Sequence, residues 1–143
     1  MTREVLPPVP LENRVSVSQA SAPDRFRFPD SYVAAITQEQ LPELYPLYFL
    51  LETGDGVEAW TRILRKQFPD RNLVPFARLD GNDDVHCFDG NDLSEDPIVV
   101  LIHSFTTPGW EYRGEWVSFE SWYTKAKEFH DEWLRDNIAE SDG

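Results

Sequence analysis

The residues of this chain best equipped for chemistry sit close together, in Asp80-Gly-Asn-Asp-Asp-Val-His-Cys87, with His103-Ser104 a short way on. Carboxylates and imidazoles are ligands for divalent cations, so Asp80, Asp84 and His86, with Asp83 and His103 nearby, define a candidate metal site. Asp80, Asn82 and Asp84 even alternate as in a calcium loop. That loop, however, needs glycine where Val85 stands and a bidentate glutamate where Asn91 stands. A nucleophilic Cys87 with His86 or His103 as base would need an exposed thiol in electropositive surroundings, and its neighbours are acidic and apolar. Ser104 beside His103 has no Gly-x-Ser-x-Gly elbow and no evident third partner. Asp83 and Asp84, as neighbours on a strand, would point to opposite faces and could not share one substrate. Aspartates that satisfy the backbone of their own turn are the simpler reading of this cluster. Glycine-rich phosphate loops, paired-cysteine zinc spacings and basic aromatic stripes are absent from the sequence.

Charge narrows the partners. The chain has 26 acidic and 13 basic residues, a formal net charge of −13. Such a field repels nucleic acid and anionic membranes and permits a basic partner, although many acidic proteins use their charge only for solubility. Asp80, Asp83, Asp84, Asp89, Asp92, Glu95 and Asp96 follow one another with no Lys or Arg before Arg113, enough for one unpaired acidic face. Arg62, Arg65, Lys66, Arg71 and Arg78 lie just upstream and could neutralise part of it.

The elements that must position these residues are legible as patterns. At 143 residues the chain is long enough for one domain that buries roughly 70% of its unfolded surface. Val74, Phe76, Val85 and Cys87 alternate with their neighbours around the turn Asp80-Gly-Asn-Asp83, which predicts a half-buried hairpin. Ile98–Ile102 is apolar without a break and suits a strand covered on both faces. Leu44–Leu51 reads as a strand that Pro46 keeps at an edge or a start. Asp55 is placed to cap a helix whose stripe is Val57, Trp60, Leu64 and Phe68. Pro108-Gly109 fits a type II turn, followed by a strand over 111–116. Ser118 caps a last helix, stapled by Val117 and Trp122, with Phe119, Trp122, Tyr123, Ala126, Phe129 and Trp133 on one stripe to about Asn137 and a frayed end over 140–143. Trp60, Trp122 and Trp133 are expected in the core. Residues 1–23, with Pro7, Pro8, Pro10 and Pro23, read as an extended or mobile arm in which Val15 and Val17 could add an edge strand. Residues 24–143 then form one α+β domain, a single mostly antiparallel sheet with helices packed against it and its other face partly open. With one cysteine and no apolar leader or membrane-length run, the expected compartment is the cytoplasm.

Pro29-Asp-Ser-Tyr32, the break Gly54-Asp-Gly56, the hairpin from Pro75 to Asp89, His103-x-Phe-x-x-Pro-Gly-Trp110 and Ser118-Phe-Glu-Ser-Trp122 together resemble the SUKH superfamily, over roughly residues 28 to 130. That group contains bacterial immunity proteins and yeast cell-wall assembly regulators. The resemblance implies one SUKH-like α+β domain with a protein-binding surface, most often directed at a toxin, and no enzymatic activity or cofactor. This chain departs from the family hairpin at Asp83-Asp84, where Gly-Asp is common, and its helix from Val57 to Phe68 is longer.

Three functions are therefore carried forward. In the first, an immunity protein occludes a cognate toxin, a nuclease being one candidate, through Asp83, Asp84, Asp89, Asp92, Glu95 and Asp96 for charge and Trp110 and Tyr112 for buried contact. The second is a divalent-metal-dependent hydrolase or metal-binding protein using Asp80, Asp84 and His86. The third is a regulatory scaffold without a toxin partner. A homo-oligomer through a sheet edge stays open.

Overall fold

The computed structural model describes residues 6–141. Its centre is a five-stranded antiparallel meander in the order β1 (Leu47–Phe49), β2 (Leu73–Leu79), β3 (Asp84–Asp89), β4 (Val99–His103), β5 (Tyr112–Trp116). Four helices accompany it: α1 (Arg14–Ala20), α2 (Asp30–Ile36), α3 (Gly56–Gln67) and α4 (Phe119–Ser141). The α+β class expected from the sequence is the class observed.

The hairpin is buried more deeply than its alternation suggests. Leu73–Ala77 and Val85–Phe88 are buried at every position, so both faces of the central strands are covered. On one face α3 seals Val85, Cys87, Val100 and Ile102 with Leu64 and Phe68. On the other, Phe76, Phe88 and Val99 meet Tyr32 of α2 and Phe119, Trp122 and Ala126 of α4. A bulge helps this second face. Pro75 pairs with Cys87 and Ala77 with His86, which leaves Phe76 as the extra residue on β2. Its ring stands 4.6 Å from that of Phe88 and 4.8 Å from that of Trp122.

Residues 6–23 pack against the rest of the fold and include α1; residues 1–5 lie outside the described residues. Val9 is buried and its N–H donates to the carbonyl of Leu51 at 2.9 Å. Val15 and Val17 sit on α1 and form no edge strand. The reason is the neighbouring Arg14, whose buried guanidinium donates to the carbonyls of Val9, Ile36, Gln38 and Glu39. A cation at the C-terminal end of α2 meets the carbonyls that the helix leaves free, and this tertiary demand overrides the strand preference of valine.

Three local expectations are corrected. Asp55 precedes α3 but its carboxylate makes no cap bond; the tight contact here belongs to Gly56, where a Cβ would lie 2.3 Å from the carbonyl oxygen of Leu50. Ser118 does cap α4, accepting the N–H of Ser121 at 3.2 Å, yet no staple forms because Val117 points to solvent while Trp122 is buried. The helix extends through Ser141, and residues 142–143 lie outside the described part. Of the three tryptophans expected in the core only Trp122 is fully inside. Trp60 is half-buried under the guanidinium of Arg78, 4.1 Å from the ring centre, and Trp133 is half-buried against Tyr45. Among the described residues no helix is long and apolar enough to cross a membrane.

Candidate functional site

The acidic run does not make one face. Asp83 and Asp84 close the β2–β3 turn at the end of the sheet where β4 leaves, since Ser104 donates both its N–H and its hydroxyl to the carbonyl of Asp83. Asp89, Asp92, Glu95 and Asp96 lie at the opposite end of β3 or beyond it, about 17 Å away along the strand. Part of the charge is also engaged in the backbone. Asp89 accepts the N–H of Asn91, and Asp92 accepts those of Ser94 and Ile98, so hydrogen bonds from Ser94 and then Ile98 hold the Asp92 carboxyl below its usual range despite some burial. Glu95 and Asp96 are exposed. The upstream cations do not neutralise this run. Arg78 donates to the carbonyl of Asn82, Arg65 to that of Ser21, and Arg71 pairs with Glu111.

The catalytic readings can be followed atom by atom. Asp80 accepts the hydroxyl of Tyr45 at 2.7 Å, Asp84 faces Nδ1 of His103 at 2.9 Å, and His86 turns inward to Trp122. These three do not converge, and among the described residues no three His, Cys, Asp or Glu side chains are grouped to hold a metal ion. Burial pushes the Cys87 thiol well above its ordinary range, with Arg71 only partly opposing, which keeps it protonated and unreactive. The hydroxyl of Ser104 is spent on Asp83, not on His103.

What the structure does gather is apolar surface. The β4–β5 loop, residues 104–111, carries Phe105 at 64% exposure and Trp110 at 72%; β5 adds Tyr112 at 45%, and Val117 just after it is 74% exposed. Phe105 has φ 59°, a left-handed conformation that a bulky residue holds only when its surroundings impose it. Those surroundings are visible. Its N–H donates to Oε1 of Gln67 at the end of α3, at 2.6 Å, and its ring meets Trp60 edge-on at 6.2 Å. At the far side of the loop Glu111 is buried. It takes a hydrogen bond from Nε of Arg71 at 2.5 Å and another from the N–H of Gly109, and its own carbonyl accepts the N–H of His103. The Arg71 guanidinium, chiefly, holds its carboxyl below the usual range. Between these anchors the expected turn forms: Trp110 N–H donates to the carbonyl of Thr107 at 3.0 Å and Gly109 has φ 106°. The loop is braced at both ends and displays two rings outward.

No family model, no curated protein and no solved structure matches this chain. The site is therefore defined by its own geometry. Trp110 and Tyr112, which the sequence offers as contact residues, are exposed; Phe105 and Val117 are exposed beside them and were not among those candidates. The available signal was weak: each is an apolar residue just past the end of a strand, where no periodic pattern requires it to be buried.

Proposed function

We propose that this protein is a non-enzymatic, cytoplasmic protein-binding domain that recognises a basic partner through the β4–β5 loop and the outer edge of β5. The observation that carries this reading is the braced loop, in which the bond from half-exposed Arg71 to buried Glu111, and the contact with Gln67, hold Phe105 and Trp110 out in solvent. Large rings kept rigid before contact lose little entropy on binding, which is what interface anchors need. The net charge of −13 favours a basic partner and raises its rate of encounter. Steering belongs to the whole molecule, because of the acidic candidates only Asp83 and Asp84 stand at the end of the sheet from which the loop departs, and Asp84 is paired with His103. The SUKH-type resemblance makes an immunity protein that occludes a basic toxin the specific form of this proposal.

The test is capture from lysate of the native host on immobilised wild type and on a Phe105→Ala/Trp110→Ala variant, at low and high salt. One basic polypeptide held by wild type, lost from the variant and weakened by salt, is the expected result. Identical proteins on both would show that the loop is not the recognition surface.

A further inference from the structure

On the other face of the sheet, away from the loop, α4 does not close completely over the strands. A groove of about 420 Å³ remains between them, lined by Leu79, Leu101, Trp116 and Phe129 and bounded by Asp84 and Lys125. Its volume is in the range of small-molecule sites. One polar side chain is set into this apolar lining. His86 is only 6% exposed, and its Nδ1 lies 2.8 Å from Nε1 of Trp122. An indole N–H can only donate, so Nδ1 must accept, and the neutral ring carries its proton on Nε2. Nε2 has no hydrogen-bond partner among the described residues, and the ring borders the groove. Trp116, 5.6 Å from the imidazole centre, flanks it on the β5 side. Burial keeps His86 neutral at ordinary pH, pushing it down to about 4 against the opposing pull of Asp84.

We propose that this groove binds an uncharged, mainly apolar small molecule with one hydrogen-bond acceptor, a carbonyl group, that takes the Nε2–H of His86. The class follows from the lining. A neutral imidazole offers a donor without charge, and Asp84 at the rim together with the net charge of −13 opposes a carboxylate. Lys125 at the same rim opposes a cation, and its own partner Glu128 is a solvent-exposed one at 3.4 Å. The groove and the β4–β5 loop are on opposite faces, so this site stands independently of the partner-binding reading.

The probe is prodan, an uncharged dimethylaminonaphthyl ethyl ketone whose emission reports both the polarity around it and hydrogen bonding at its carbonyl. Saturable one-to-one binding to the wild-type protein, with energy transfer from tryptophan, is expected. Leu79→Trp, which fills the groove from the β2 side and leaves the His86–Trp122 pair in place, should abolish it while the circular dichroism stays native. Since His86→Phe would strand the indole of Trp122, the hydrogen bond is tested on wild type with the analogue whose ketone is replaced by methylene; it should bind about tenfold more weakly. No saturable binding to folded wild type, unchanged binding to Leu79→Trp, or equal affinity for the analogue would each overturn the proposal.

Discussion

The two faces of the sheet are built to different standards. Among the described residues, the face under α1, α2 and α4 buries nineteen apolar side chains, seven of them aromatic, in one continuous cluster. Among the same residues the α3 face buries seven, of which Phe68 alone is aromatic. Rings on the larger side interlock edge-to-face, Tyr32 against Phe76, Phe88 and Phe119 among them, so each fixes the position of several others. The smaller side is a layer of branched aliphatics under one helix, and it is this side that carries the strained Phe105 and the displayed loop. Stability concentrated on one face leaves the other free to hold a conformation that costs energy.

The largest contrast should come from Phe76→Ala, which removes the bulge ring from the centre of the aromatic cluster and should destabilise by about 3–5 kcal/mol in urea unfolding. A loss near 1 kcal/mol instead would mean that the cluster can collapse and is not the stiffer side. Next comes pH. His86 has its folded-state value pushed down to about 4 from an ordinary 6.5, so the unfolded chain binds the extra proton between those values. The stability that neutral His86 contributes is complete above about pH 6.5 and is lost as pH falls towards 4, by roughly 3 kcal/mol. An NMR titration of His86 with a midpoint near 6.5 would contradict this. On the smaller face, Ile102→Val should cost about 1 kcal/mol, as a single methyl lost from a thin aliphatic layer. The least effect belongs to Trp110→Ala, within about 0.5 kcal/mol of wild type by thermal unfolding, because its ring buries little in the free protein. A larger loss there would make the loop part of the core and not a display.

How much of this was readable in advance depended on how local each cause is. The strands around Val74–Phe76, Val85–Cys87 and Ile98–Ile102 were legible because β-branched and aromatic runs bounded by Asp-Gly-Asn and Pro turns state their own structure. Burial of the two hairpin strands on both faces was not, because Pro75 and His86 look like solvent positions until Trp122, thirty-six residues away, supplies the partner of the imidazole. Arg14 concealed the N-terminal segment in the same way: among prolines and serines nothing local announces that three distant carbonyls await a guanidinium. The acidic run was legible as charge but not as geometry, since β3 carries its two halves to opposite ends. Exposure of Trp110 was legible because turn chemistry surrounds it; that of Phe105 was not, because it depends on Gln67 and Trp60 of α3.

The outermost strand has one more consequence. Register along β4 and β5 slips between Leu101 and Ile102, leaving Arg113 without a partner, and the adjacent Gly114 has φ 154°. At the opposite margin β1 contributes only three residues. Stacking copies edge to edge into a fibril requires two long, flat margins with evenly spaced amides, and this sheet has a kinked one and a short one. A protein that keeps large rings on display in a crowded medium is thereby protected from templating its own aggregation through its backbone.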